Sequence, residues 1–465
     1  MTKRNISARP RPLPDATTQR TVIDKATEKG LSDIQKPVDA PATRIASTTP
    51  RAVYFSFMHP DLVPGGAQTI AKNLHEAHLR RHGPGTSLFI GAMVGGGPRR
   101  PAGSDIVQMA PQEFVYIAPN FDFEYFTNHD ELGQVALLEL VQSFGPTVLH
   151  FHHFMGFGID FVQACLARFD ATSVFTIHEH MLVCHNDGHL LQNNNNHICT
   201  EISYARCSTC LPQFRYDYFQ HRMAHFARVI EKFDHVTAVS AFTAGLVGTA
   251  LGLSKPVTVV PNGPIFRDRA VIDDDLSILR IAFIGQIHRT KGVHLLLESV
   301  LALCKMSSSV ARRFDIGIWG NFVGDDAYRA RIEQAVAELA ALRVPVALHG
   351  AYDASDLPAL LSDRNVVVIP SLWPESYCLT ADEALQLGKI LVCSEFPAIR
   401  ERFAASDSTL YFPMGSAGGL RMRLQELLAR PPAPRSQVAA AQSFTSFEDI
   451  YNRYSAMNEV AHAAH

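Results

Sequence analysis

At 465 residues the chain exceeds one ordinary hydrophobic core, which points to two domains with additional segments. Hydrophobic residues make up 47%, charged residues 19% and the formal net charge is −3, the balance of a globular enzyme. A nucleic-acid partner is excluded on the same ground, since phosphate contacts need a basic excess. No apolar h-region follows the opening MTKRNISARPRP, and no apolar run approaches about 18 residues, so neither a secretory signal nor a transmembrane helix is expected and the expected location is cytoplasmic.

Residues 1–48 are rich in Pro, Thr, Ser, Asp and Lys, with too few large apolar side chains to offset the entropy of ordering them; a disordered tail is expected. From Arg51 short β-branched apolar runs alternate with helical patterns, as in βαβ units around a parallel sheet. Ala52–Phe57, Ser87–Met93, Thr147–Phe151, Ser173–Ile177, His235–Val239 and Val257–Val260 predict strands, and Thr69–Arg81 predicts a helix. Pro261-Asn262-Gly263-Pro264 and the polar run Asp268–Asp275 predict a hinge, with Asn262 as a hinge residue. Beyond it Leu279–Ile284, Phe314–Trp319, Pro345–His349, Val366–Pro370 and Ile390–Ser394 predict a second set of strands. The expected fold is α/β, with two Rossmann-like doubly wound domains, residues 49–262 and 263–430, facing a central cleft where both sheets end. Pro431-Pro432-Ala433-Pro434 breaks the chain once more. In 431–465 a last helix carries Phe447, Ile450, Tyr451, Tyr454 and Met457 on one face, needs a groove to cover, and is expected to pack back toward the N-terminal domain.

The strongest chemical signal directly follows the apolar run Val366–Pro370: Ser371-Leu372-Trp373-Pro374-Glu375-Ser376-Tyr377-Cys378-Leu379-Thr380-Ala381-Asp382-Glu383. A strand, a turn and a helix start place Glu375 in the turn, within reach of sugar hydroxyls. Glu383 lies inside the helix, where a carboxylate can accept from both hydroxyls of a ribose. The amides of Cys378, Leu379 and Thr380 fall at the helix N-terminus, where free N–H groups and the macrodipole favour phosphate. The plain structural alternative is a pair of surface glutamates at a helix start.

This segment resembles the E-x7-E motif of the retaining glycosyltransferases of family 4, which have the GT-B fold; Pro370-Ser371 and Ala384–Gly388 match as well, and the resemblance covers most of residues 51–460. It implies sugar transfer from a nucleotide-diphosphate donor, Glu375 on the donor sugar and Glu383 on the ribose. Under it the C-terminal domain takes the nucleotide sugar and the N-terminal domain the acceptor, a saccharide or lipid-linked saccharide of polysaccharide or glycolipid synthesis.

A second signal, Gly285-Gln286-Ile287-His288-Arg289-Thr290-Lys291-Gly292, also follows a strand. Lys291 can neutralise a departing diphosphate without a metal. The family commonly has arginine where this chain has Gln286, and Arg289 is the candidate substitute. Gly65-Gly66 in the first βα turn allows close backbone approach to a ligand and is similar to the family's N-terminal glycine loop. Among His150, His152, His153, His178 and His180, the resemblance assigns a donor-sugar contact to His178 alone; a near-neutral imidazole there can also take a proton from an acceptor hydroxyl. His178, Glu375 and Lys291 are thus the expected catalytic residues. Gly65, Gly66, Gln286, Lys291, Cys378, Leu379, Thr380 and Glu383 are the expected donor contacts, with no metal in the chemistry.

Cys184-x14-Cys199-x7-Cys207-x2-Cys210, interleaved with His185, His189 and His197, is compatible with a structural zinc, and equally with free thiols or a disulfide. Basic residues along Lys72–His82 suit either a solvated face or peripheral contact with anionic lipid at the inner membrane face. A nucleotide-sugar 2-epimerase of similar fold and a non-catalytic sugar-nucleotide-binding protein stand as alternative functions. No G-x-G-x-x-G follows a strand and no G-x4-G-K-[ST] occurs, which disfavours dinucleotide and P-loop chemistry.

Overall fold

The computed structural model describes residues 49–63, 65–95, 105–193, 197–263, 276–323, 326–429 and 446–463. The tail 1–48, Pro264 with the whole polar run Asp268–Asp275, and the Pro431–Pro434 break lie outside the described residues.

Ten strands fall in the first half: β1 (Ala52–Phe57), β2 (Ser87–Val94), β3 (Ile106–Ala110), β4 (Glu113–Ala118), β5 (Phe121–Asp122), β6 (Thr127–Asn128), β7 (Val148–Phe151), β8 (Thr172–Ile177), β9 (His235–Ala238) and β10 (Thr258–Val259). Eight of them form one sheet in the order β10-β9-β8-β7-β1-β2-β4-β3. All its pairings are parallel except β3 with β4. The buried runs explain why: β1, β2, β7 and β8 are covered on both faces by helices, as parallel strands require. One face packs Phe55, Phe151, Phe175 and Ile177 against the helices Ile159–Arg168 and Tyr216–Ile230, with Phe55 and Phe151 stacked at 4.2 Å.

The other face is closed by two helices far apart in sequence. Tyr54, Val148 and Val174 pack on Ile70, Ala71 and Leu74 of the helix Gly66–His82 and on Ile450, Tyr451 and Tyr454 of the last helix, Phe447–Ala463. The C-terminal helix therefore completes the core of the first half. Its contacts draw in the basic end of Gly66–His82, since Arg81 donates to Asn452 at 2.6 Å and lies 3.8 Å from Glu448. Lys72 pairs inward too, 3.0 Å from Asp61 and 3.3 Å from Glu113.

The second half adds β11 (Leu279–Ile284), β12 (Phe314–Trp319), β13 (Val346–Gly350), β14 (Val366–Ile369), β15 (Ile390–Glu395) and β16 (Thr409–Pro413), all parallel, in the order β13-β12-β11-β14-β15-β16. Leu296, Val300, Ile316, Val368 and Leu420 fill one side of this sheet, and Ala381, Leu391, Cys393 and Ile399 the other. The strand order reverses between β1 and β7 in the first sheet and between β11 and β14 in the second. Ligands of open α/β sheets bind at such switch points, beyond the carboxyl ends of the strands. Among the described residues, no helix is long and apolar enough to cross a membrane.

Candidate active site

The loops that leave β11 and β14, neighbours at the second switch point, carry Lys291 and Glu375. They are tied together by backbone contacts. Leu372 N–H donates to the Thr290 carbonyl at 2.7 Å. Gly292 has φ 72°, and a Cβ there would stand 2.0 Å from the Pro370 carbonyl oxygen, so only glycine permits this approach. The result brings Lys291 Nζ to 2.9 Å from Glu375 Oε2, while Ser371 Oγ donates to Glu375 Oε1. Glu375 is buried, whereas the Lys291 side chain keeps 30% of its surface exposed. Burial opposes the ammonium charge, but the facing Glu375 carboxylate outweighs it, and the Lys291 pKa lies above its ordinary value. Lys291 Nζ also stands 5.8 Å from the centre of the Trp373 ring.

Cys378 then adopts a left-handed conformation (φ 71°) and opens the helix Leu379–Gln386 without a side-chain cap. The amides of Leu379 and Thr380 thus start a helix with no capping oxygen over them, which suits an anionic ligand. One turn in, Glu383 is buried, and burial together with the neighbouring Asp382 carboxylate raises its pKa to about 8. Burial and the Asp382 charge thus favour the protonated form of Glu383, which offers one donor and one acceptor where the ionised carboxylate offers acceptors alone.

A linkage result follows. The unfolded side chain releases its proton near 4.5 and the folded one near 8, so this group lowers stability as pH rises through that interval, by up to about 3 kcal/mol at pH 7. Glu383→Gln is expected to melt higher than the parent protein at pH 8, with the gap closing toward pH 5; thermal melts at both pH values check this.

Asp382 is held by Arg402 from the helix Pro397–Phe403, at 2.5 Å, and the guanidinium lies 3.6 Å from the centre of the Tyr377 ring while donating to the Tyr377 carbonyl. Asp382 lies within the quoted segment, but its partner Arg402 stands outside any motif, so the pairing is not legible in the sequence.

The same loop meets the first half. Ser376 Oγ donates to the His178 carbonyl, and Tyr377 OH donates to the carbonyl of Asn262, the expected hinge residue. Glu401 reaches across as well, accepting from the amides of Ala241 and Phe242 at 2.8 and 2.9 Å. Glu375 is thereby placed where the two halves adjoin, one residue from a contact with His178.

His178, just beyond β8, is buried, and its Nε2 shares a hydrogen bond of 2.8 Å with Nδ1 of His152. Burial, with the nearby His153, lowers its pKa to about 3. The enclosure thus disfavours a charged imidazolium at His178 and favours the neutral, hydrogen-bonding ring. His150 and His152 are also buried; His150 bonds Thr176 Oγ1 at 2.7 Å, and Tyr454 of the last helix reaches the same hydroxyl at 3.1 Å.

Gly65 and Gly66 stand at the carboxyl end of β1, at the first switch point, as the start of the helix Gly66–His82. A Cβ at Gly66 would meet nothing within 4 Å, so the backbone there faces open space. No hydrogen bond among the described residues joins them to Lys291 or Glu375. Gln286 is exposed, and Arg289, the candidate substitute for the family's arginine, lies 5.2 Å from the centre of the Tyr328 ring. Of the five histidines weighed, the structure brings only His178 into contact with the C-terminal loop through a hydrogen bond among the described residues.

Residues 64–264 match the family model described as Glycosyltransferase Family 4, and residues 267–444 match the one described as Glycosyl transferases group 1. No curated protein sequence matches the chain. Among solved structures it is similar to sucrose-phosphate synthase (tll1590) from Thermosynechococcus elongatus, with TM-score 0.62 and 16% identity over 89% of this chain and 100% of that one. Anabaena Alr3699/HepE in complex with UDP and glucose gives TM-score 0.59 and 15% identity over 88% of this chain and 100% of that one. The alpha,alpha-trehalose 6-phosphate synthase from Burkholderia multivorans gives 0.56 and 12%, over 90% and 100%. Two doubly wound sheets, two loops joined at one switch point and a family match in each half agree: the chain is a glycosyltransferase of the GT-B fold and of the family 4 type.

Proposed function

We propose that the chain transfers a hexose from a nucleoside diphosphate donor to a hydroxyl of a saccharide or lipid-linked saccharide, with retention at the anomeric carbon. The observation that carries this reading is the 2.9 Å pair of Lys291 and Glu375 at the second switch point, with an uncapped helix start three residues further on. In it Glu375 holds donor-sugar hydroxyls. Lys291 and the amides of Leu379 and Thr380 stabilise charge on the diphosphate as the glycosidic bond breaks. Glu383 receives the ribose, and the neutral His178 orients the sugar. Gly66, which faces open space, lets the acceptor-side backbone approach the reacting centre.

The donor to test first is UDP-glucose, because the Anabaena structure holds UDP and glucose. Incubation with UDP-glucose and a panel of saccharide acceptors is expected to release UDP and give an α-linked product by NMR. A β-linked product overturns retention. An epimerised nucleotide sugar formed without acceptor favours the isomerase reading instead and overturns transfer.

A further inference from the structure

Between β8 and the helix Tyr216–Ile230 the chain carries Cys184, Cys199, Cys207 and Cys210, none of which the sugar chemistry uses. Cys184 closes a turn, its N–H donating to the His180 carbonyl at 2.8 Å. Cys199 follows the bridge between Leu191 and Ile198, and its N–H donates to the Leu190 carbonyl at 2.7 Å. Cys207 and Cys210 stand three residues apart, hence on one face, of the short helix Tyr204–Cys210. These separate pieces of chain bring all four cysteines to the lining of one cavity of about 30 Å³, which Leu191, Ile202 and Phe219 wall together with His185, Gln192 and Arg206. That is room for a single small occupant. No disulfide joins any of the four. The Asn193 amide donates to the Cys210 sulfur at 3.2 Å, the kind of outer contact that supports a thiolate ligand.

We infer that Cys184, Cys199, Cys207 and Cys210 bind one thiophilic divalent cation, zinc by their chemistry, and that it staples this insertion over the donor loop. Four sulfur donors make a soft, closed tetrahedral set with no position left for water, which is the pattern of a structural and not a catalytic metal. On binding, each thiol releases its proton to solvent and forms one metal–sulfur bond; nothing is oxidised or reduced. In the metal-free geometry the sulfurs surround the cavity without closing on its centre. Those of Cys184 and Cys199 face the carbonyls of Asn186 and Glu201 at 3.9 and 3.3 Å. A χ1 step to another staggered rotamer moves a sulfur by about 3 Å, enough to turn it inward. By contrast, in the group His59, Asp61 and Glu113, whose ligand atoms lie within 4.8 Å of one another, both carboxylates already share the Lys72 ammonium and His59 bonds Glu113 at 2.9 Å.

The insertion matters to the site because the His189 ring stands edge-on to Trp373 at 5.1 Å, and Trp373 faces Lys291. The coupling, unlike the metal, rests on the donor reading given above.

The test uses the full-length protein expressed in zinc-supplemented medium and gel-filtered. Elemental analysis is expected to find about one zinc per chain, and chelation is expected to speed iodoacetamide labelling of the four cysteines, mapped by mass spectrometry, about tenfold. Less than about a tenth of an equivalent of zinc, labelling indifferent to chelation, or a disulfide within the four overturns the proposal. Cys207→Ser is expected to lose the zinc while Cys165→Ser keeps it; equal zinc in both also overturns it. An inactive protein that retains its zinc counts against the transferase reading and leaves the metal site standing.

Discussion

Replacing Lys291 with alanine is expected to lower the turnover of sugar transfer by about 10²–10³, the range seen when one preorganised group facing developing charge is removed. The ammonium is well placed for that work. It is partly exposed, it is held charged by Glu375, and it sits on a loop locked by Gly292 against Pro370. The loss should appear in kcat as well as in kcat/KM, because the charge on the diphosphate grows as the glycosidic bond breaks. A rise in KM with kcat unchanged would mean that Lys291 only holds the ground-state donor. Lys291→Ala also strips Glu375 of its cation, so circular dichroism and a thermal melt should accompany the kinetics.

Arg402→Ala is expected to destabilise the second half by about 3–5 kcal/mol, since it leaves the buried Asp382 carboxylate without its cation. For a domain of this size that is an apparent Tm lower by roughly 10 °C. The double variant Asp382→Asn with Arg402→Met removes both charges and is expected to recover a large part of the loss. A loss as large in the double variant would show that stacking on Tyr377 and the bond to its carbonyl, not the ion pair, hold the loop. The variant reaches function as well. Asp382 adds to the rise in Glu383's pKa, and Tyr377 anchors the loop that carries Glu375 on Asn262.

Much of the architecture was legible because it is written locally. Ala52–Phe57, Leu279–Ile284 and Phe314–Trp319 are strands with the bounds read from the sequence, since continuous β-branched and aromatic runs flanked by turns admit little else. The antiparallel pair β3–β4 was not read; β3 is only half-buried at the sheet edge and shows no clean alternation. β16 was missed as another edge strand, one that ends in Pro413.

The site divides along the same line. Glu375, the helix start and Glu383 belong to one strand–turn–helix segment, so their spacing alone conveys their arrangement. The properties that decide their chemistry are not local. The acidity of Glu383 depends on burial, the imidazole of His178 is bonded by His152 from just beyond β7, and Asp382 is paired from a helix twenty residues on. Burial is a product of the assembled fold, and a histidine that reads as near-neutral in sequence loses its charge once enclosed.

The most direct test of the account is a diffraction structure of the protein with UDP-glucose bound. It is expected to show the ribose hydroxyls on Glu383, the diphosphate against Lys291 and the amides of Leu379 and Thr380, and the glucose between Glu375 and His178. A nucleotide sugar bound away from the loops that follow β11 and β14, with Lys291 and Glu375 still paired only to each other, would contradict it.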